Sequence, residues 1–184
     1  WRGVLVDITR HKHVEMALRN NEQLFRSLTE VAPVGIFRTD ESGKCLYVNE
    51  RWCSIAGMDA ETAQGFGWVT AIYPEDRERV MNEWGSAVQY QRQFISEYRF
   101  QTKEKVITWI LGYAQAERDQ HGNVLGYVGT ITNITEQKMK ETELAESRHL
   151  LKTIIDTAPV RIFWKDRDSR YLGCNPIFAR DAGV

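Results

Sequence analysis

The sequence predicts an α+β domain built on one antiparallel sheet with helices on one face, and three observations predict it. Two short strand-like words come first, a helix-rich middle follows, and three longer strand-like stretches close the unit. Strands and helices that run in separate blocks, rather than alternating, place the helices on one side of an antiparallel sheet. The late stretches alternate apolar and polar residues, the signature of strands with one buried face. Finally, long helical segments flank the unit on both sides.

In chain order, residues 10–31 carry Val14, Leu18, Leu24, Phe25, Leu28 and Val31 without Pro or Gly, a spacing that predicts an amphipathic helix. Pro33 ends it, because the residue before a proline avoids the helical region. Val34 to Thr39 reads as a strand, Asp40-Glu41-Ser42-Gly43 as a turn, and Cys45 to Val48 as the returning strand. Asn49 is placed to cap a short helix, Glu50 to Ala56, which Gly57 closes, and another helical turn runs from Asp59 or Ala60 to Gln64. Pro74, with Glu75 and Asp76 behind it, opens a helix that reaches about Tyr90 and carries Val80, Trp84 and Val88 on one face.

Three strands follow. Over 94–100, Phe94, Ser96, Tyr98 and Phe100 share one side; over 106–117, Ile110, Gly112, Ala114 and Ala116 oppose Trp109, Leu111 and Tyr113. Asp119 to Asn123 is a hairpin turn, the strand 124–134 closes the sheet, and Thr135 is placed to cap a helix broken by Pro159.

An internal repeat sets the organisation. Ala32-Pro33-Val34-Gly35-Ile36-Phe37 returns as Ala158-Pro159-Val160-Arg161-Ile162-Phe163, an offset of 126 residues, and Asp40, Leu46 and Asn49 match Asp166, Leu172 and Asn175 at the same offset. Asp7-Ile8-Thr9 likewise matches Asn133-Ile134-Thr135. A period of that size is a small domain plus its linker, so the chain reads as a window on a tandem array. The expected divisions are a last strand of one unit (1–9), a linker helix (10–31), a complete unit (32–135), an exit helix (136–157) and the head of another unit (158–184). Both ends are expected to lie within a longer protein.

Composition narrows the function classes. With 42% hydrophobic residues, 27% charged and a formal net charge of −1 over 184 residues, the chain has no long-range field to steer nucleic acid or an anionic membrane. No apolar run nears the roughly 20 residues of a spanning helix. Cys45, Cys53 and Cys174 are odd in number and irregular in spacing, which points to thiols in a reducing compartment, a cytoplasmic setting, and not to disulfides or zinc.

These words together resemble the PAS domain with its C-terminal PAC motif: Ala-Pro-Val-Gly-Ile-Phe at 32–37, Tyr47-Val48-Asn49, Gly67-Trp68 leading to Tyr73-Pro74-Glu75-Asp76-Arg77, Glu97-Tyr98-Arg99, Trp109, and Gly126 through Glu136. The resemblance implies strand order 2-1-5-4-3, a half-barrel able to hold a small ligand, and membership of a multidomain signalling protein such as a sensor histidine kinase or diguanylate cyclase. It also marks Asn133 and Thr135 as the signal relay. The family's aspartate is replaced here by Asn133, which accepts hydrogen bonds without charge and puts coupling by an ion pair in doubt.

Candidate pocket residues follow from alternation: Phe37, Phe100, Ile110, Gly112, Gly129 and Ile131 on the sheet, with Val80 and Trp84 opposite. Gly112 and Ala114 leave room above the sheet, to be taken by Trp84, by Trp52 or by a ligand. The resemblance disfavours haem, since residues 75–90 hold no histidine, and a photoreactive flavin–cysteine pair, since Gly65-Phe66-Gly67-Trp68 holds no cysteine. A non-covalent flavin, another flat apolar ligand and no cofactor at all stay open. Gly65 and Gly67 serve turn geometry and not a phosphate loop. His149, followed by Leu150, reads as a solvated helix residue and not a phosphoacceptor. No catalytic triad, metal cluster or carboxylate pair stands out.

The expected function is a sensory module, not an enzyme, that passes a small-molecule or conformational cue through its exit helix. The alternative is a ligand-free spacer and dimerisation unit. Partners are neighbouring units and an output domain of the same chain, with a homodimer through the flanking helices; Leu144, Leu151 and Ala158, spaced by seven, suit a two-stranded seam. The linker helix, or else a partner chain, is expected to cover Trp109, Leu111 and Tyr113.

Overall fold

Residues 9–183 are described by a computed structural model. The strand expected over 1–9 therefore lies outside the described residues, as do the side chains of Val14 and Phe25. The chain forms two compact units, one through Thr135 and one from Glu136.

In the first unit, helix α1 (Thr9–Val31) leads into strands β1 (Gly35–Thr39) and β2 (Cys45–Val48). The turn between the strands is built by Asp40, whose Oδ1 accepts from the backbone N–H of Ser42 and of Lys44, both at 2.9 Å. Gly43 completes it at φ 82°, where a Cβ would lie 2.7 Å from the Trp84 indole nitrogen, so glycine is required twice over. Helix α2 (Glu50–Ala56) is capped by Asn49 and ends in the left-handed Gly57, as the sequence predicts. Asp59 caps α3 (Ala60–Ala63). A 3₁₀ turn over Gly67–Ala71 has no counterpart in the sequence reading. The helix expected from Pro74 begins as a 3₁₀ turn, Pro74–Asp76, before α4 (Arg77–Gln89).

Strands β3 (Phe94–Gln101), β4 (Ile107–Arg118) and β5 (Val124–Asn133) complete a five-stranded antiparallel sheet of order β2-β1-β5-β4-β3. The register sets Phe37 opposite Gly129, and Gly112 opposite both Ser96 and Ile131. Alternation holds as predicted: Phe94, Ser96, Tyr98 and Phe100 are buried, as are Ile110, Gly112 and Ala114. Where strand pairing shifts between Arg38 and Thr39, alternation breaks, and Cys45 and Val48 both turn inward although three positions apart.

The described apolar residues of α1 do not cover the outer sheet face. Leu18, Leu24 and Leu28 stay 61%, 57% and 63% exposed. The described part of α1 is anchored instead by its last turn, where buried Thr29 receives bonds from Tyr47 and Asn49. Trp109 is shielded on the outer face by the guanidinium of Arg99, 5.5 Å from its ring.

In the second unit, α5 (Thr135–Thr157, its first residue in the first unit) leads to β6 (Phe163–Lys165), β7 (Tyr171–Cys174) and α6 (Pro176–Ala182). Asp166 builds the β6–β7 turn by accepting from the N–H of Asp168 and Arg170, the bonds Asp40 makes to Ser42 and Lys44 at an offset of 126. Leu144, Leu151 and Ile154 on α5 are exposed. No described helix is long and apolar enough to cross a membrane.

Candidate functional site

The concave side of the sheet is packed with aromatic rings around Trp84. Its indole, 3% exposed, meets Phe94, Tyr127, Phe37 and Trp68 edge to face, with centroids at 5.3, 5.5, 6.2 and 6.3 Å. Its Nε1 donates to the Gly43 carbonyl at 3.1 Å, which fastens α4 to the β1–β2 turn. Trp52, from α2, stands edge-on to Phe100 at 5.8 Å, and Phe100 to Tyr98 at 5.4 Å.

The room that small residues leave on the sheet is taken by these rings. A Cβ on Gly112 would lie 2.9 Å from the Tyr98 ring and 3.1 Å from the Phe94 ring, and one on Gly129 would run into the Phe37 ring. The space above Gly112 is therefore met by Tyr98 and Phe94, a pair not among the occupants weighed from the sequence, which were Trp84, Trp52 or a ligand. Tyr98 reaches it because β3 pairs with β4 two residues along, Tyr98 opposite Ile110. What remains among the rings is a cavity of about 30 Å³, enough to hold ordered water.

Four of the eight residues expected at the pocket, Phe37, Trp84, Phe100 and Ile131, line that cavity. Val80, Ile110, Gly112 and Gly129 do not: Val80 and Ile110 are wholly buried in the surrounding core, and the two glycines lie beneath rings. The lining also takes in Thr39, Cys45, Val48, Trp52, Trp68, Phe94 and Tyr98. Phe94 and Tyr98 share the face of Phe100 and are within reach of the same alternation; Trp68 lies on the 3₁₀ turn and carries no periodic signal. Burial pushes the Tyr98 hydroxyl and the Cys45 thiol up, which favours the neutral form of both. Among the described residues no group of His, Cys, Asp or Glu could hold a metal ion.

A second constellation lies where β5 becomes α5. The Trp109 N–H donates to Thr135 Oγ1 at 2.9 Å, and the Trp109 carbonyl accepts from the Ile134 N–H at 2.9 Å. Asn133 Oδ1 accepts from the Thr135 N–H at 2.9 Å. The cap at the helix start thus comes from Asn133, while Thr135, expected to cap, spends its hydroxyl on β4. Both relay candidates are brought together, bonded directly to each other, and Ile134 between them is buried.

Trp109 is in turn tied to the start of α4. Arg99, its partner across the β3–β4 pair, places its guanidinium 4.1 Å from the Tyr73 ring and bonds Asp76 through Nε and Nη2, both at 2.9 Å. The Arg99 hydrogen bonds hold the Asp76 carboxyl below its ordinary value of 3.8, against the opposing effect of burial.

Residues 45–131 match the sequence profile of a family described as the PAS fold. Over 143 residues, 78% of this chain, the sequence is 32% identical to the uncharacterized protein y4lL of Sinorhizobium fredii. Over 162 residues, 79% of the chain, it is 27% identical to the peroxide stress-activated histidine kinase mak1 of Schizosaccharomyces pombe. Those matches take in 17% and 10% of the two relatives, so the chain spans less than a fifth of either. The crystal structure of a PAS domain from Colwellia psychrerythraea superposes with a TM-score of 0.53 at 24% identity, over 62% of this chain and 97% of that one.

Proposed function

Given that this chain belongs to the PAS fold family, we propose that it is a regulatory relay module of a longer signalling protein, and not itself an enzyme. The input is conformational, and the output leaves through α5. The observation that carries this reading is the junction at Asn133-Ile134-Thr135. Both backbone polar groups of Trp109, near the start of β4, are committed to the junction, the N–H to Thr135 at the first residue of that helix and the carbonyl to Ile134 just before it. A shift of β4 against β5 therefore changes the bonds that fix where α5 begins. The cavity of about 30 Å³ supports a conformational cue over a resident ligand, since a flavin or other flat molecule would have to displace several rings.

In this reading the residues after α5 open a following PAS unit, and residues 1–9 close a preceding one. Two chains associate through their helices, where Leu144 and Leu151 are exposed and seven residues apart. The parent protein is a cytoplasmic sensor kinase, a proposal supported by the likeness to mak1. The rival reading, a ligand-free spacer, makes the opposite prediction about helical phase. Inserting one to four residues between Thr135 and Leu144 in the parent protein is expected to make its output rise and fall with the 3.6-residue turn. Output indifferent to the insertion length refutes the relay.

A further inference from the structure

Asn49 and Asn175 are buried carboxamides, 3% and 0% exposed, each with all its hydrogen-bonding groups in use. Asn49 Oδ1 accepts from the N–H of Ile36 at 2.8 Å and of Trp52 at 2.9 Å, and Nδ2 donates to the carbonyls of Thr29 at 2.8 Å and Val34 at 3.2 Å. Asn175 repeats the set at an offset of 126: it accepts from Ile162 at 3.0 Å and Phe178 at 3.1 Å, and donates to Ile155 at 3.2 Å and Val160 at 2.8 Å.

Capping the short helix that follows needs only the oxygen half of this group, which Ser, Thr or Asp would also supply. The nitrogen half has another target. Thr29 lies two residues before the end of α1, and Ile155 two residues before the end of α5, where helix carbonyls have no partner within the helix. Each asparagine thus binds three elements at once: the last turn of the preceding helix, the first strand of its own unit, and the helix after its second strand. In the first unit that last helix carries Trp52, which stands against Phe100 in the aromatic core.

We propose that Asn49 and Asn175 are input latches, through which each unit receives the position of the helix ahead of it. This rests on the relay reading above and extends it to the receiving end. Helix α5 starts at a residue bonded to Trp109 of the sheet and ends in the grip of Asn175. The linker is then the output of one unit and the input of the next. The two asparagines are positioning residues: they carry no chemistry, and they act by fixing where a helix end sits relative to a strand and a core helix.

The test is amide hydrogen exchange on the 184-residue chain. Thr135→Ala removes the hydroxyl that accepts from Trp109, and it is measured with Asn175 intact and with Asn175→Asp. Aspartate keeps an acceptor for Ile162 and Phe178, loses the N–H donors to the helix end and sets a carboxylate oxygen against the carbonyls they held. The expected result is faster exchange in the first turn of α5 in both backgrounds, with faster exchange at Ile162 and Phe178 only where Asn175 is intact. No response at Ile162 and Phe178 with Asn175 intact, or an equal response in both backgrounds, overturns the latch and leaves the junction standing. No response in the first turn of α5 overturns the relay reading itself. Asn49→Asp gives an independent measurement should the Asn175 variant unfold its unit. Exchange over residues 29–32 is expected to rise about tenfold, the worth of one or two hydrogen bonds, while Ile36 and Trp52 stay protected. Unchanged exchange over 29–32 overturns the latch.

Discussion

Replacing Trp84 with alanine tests whether the core is filled by the protein's own rings. The side chain is 3% exposed, touches four aromatic rings edge to face and holds the Gly43 carbonyl. Truncating a buried tryptophan to alanine costs about 3–5 kcal/mol, and the four ring contacts place this site at the upper end. Depriving the buried Gly43 carbonyl of its donor adds about 1 kcal/mol, for a total of about 6 kcal/mol. Since a domain of this size holds about 5–15 kcal/mol in all, the variant should lose a third or more of its stability. Its unfolding midpoint should fall by roughly 20 °C. The assay is thermal unfolding together with hydrogen exchange of the β5 amides, which reports on the first unit alone. The space left has the shape of an indole, so free indole at about a hundred times its dissociation constant should return about 2.7 kcal/mol. A loss under about 1 kcal/mol, or a melting point that indole leaves unmoved, refutes the view that the Trp84 ring fills the core.

Three further outcomes follow from the same geometry. Because Arg99 holds the Asp76 carboxyl below 3.8, its stabilising effect is complete above the unfolded value and is lost as pH falls through the folded one; urea midpoints should drop below about pH 4, and Asp76→Asn should flatten that drop. Gly112→Val drives a side chain into the Tyr98 and Phe94 rings and should cost about 2 kcal/mol in thermal unfolding, since the strand leaves no room to relax. Asn133→Asp keeps the acceptor for the Thr135 N–H and adds a negative charge at a helix start; it should stabilise the chain by about 0.5 kcal/mol at low ionic strength, an increment that fades in about 1 M salt.

The sheet was readable from the sequence because each strand has one wet face. Alternation alone sorts Ile110, Gly112 and Ala114 from Trp109, Leu111 and Tyr113, and the same rule reaches Tyr127, two residues before Gly129. It fails where pairing slips: the shift at Arg38/Thr39 turns both Cys45 and Val48 inward, and no local pattern marks it. Trp68 is beyond reach for a different reason, since it comes to the core on a short 3₁₀ turn, outside any strand or long helix whose period could mark it. The junction was legible as a word, Asn133-Ile134-Thr135, but not as a division of labour. Which of two neighbouring polar side chains caps the helix, and which holds β4, depends on the position of Trp109, a residue more than twenty positions away in the chain.

The decisive ambiguity was the glycines. A glycine on the concave face of a sheet records only that no Cβ is tolerated there; it does not record what occupies the space. Gly112 and Gly129 are as compatible with a bound molecule as with a neighbouring ring, and the distances to Tyr98, Phe94 and Phe37 are what separate the two. Once those rings are placed, a ligand has to expel them before it can bind, and each expulsion forfeits burial of about 1.5–3 kcal/mol per large side chain. A core closed in this way favours the proposed conformational cue over a molecule at its centre. Its polar fastenings lie at those edges, with Asn49 at the end of α1 and Trp109 at the start of α5.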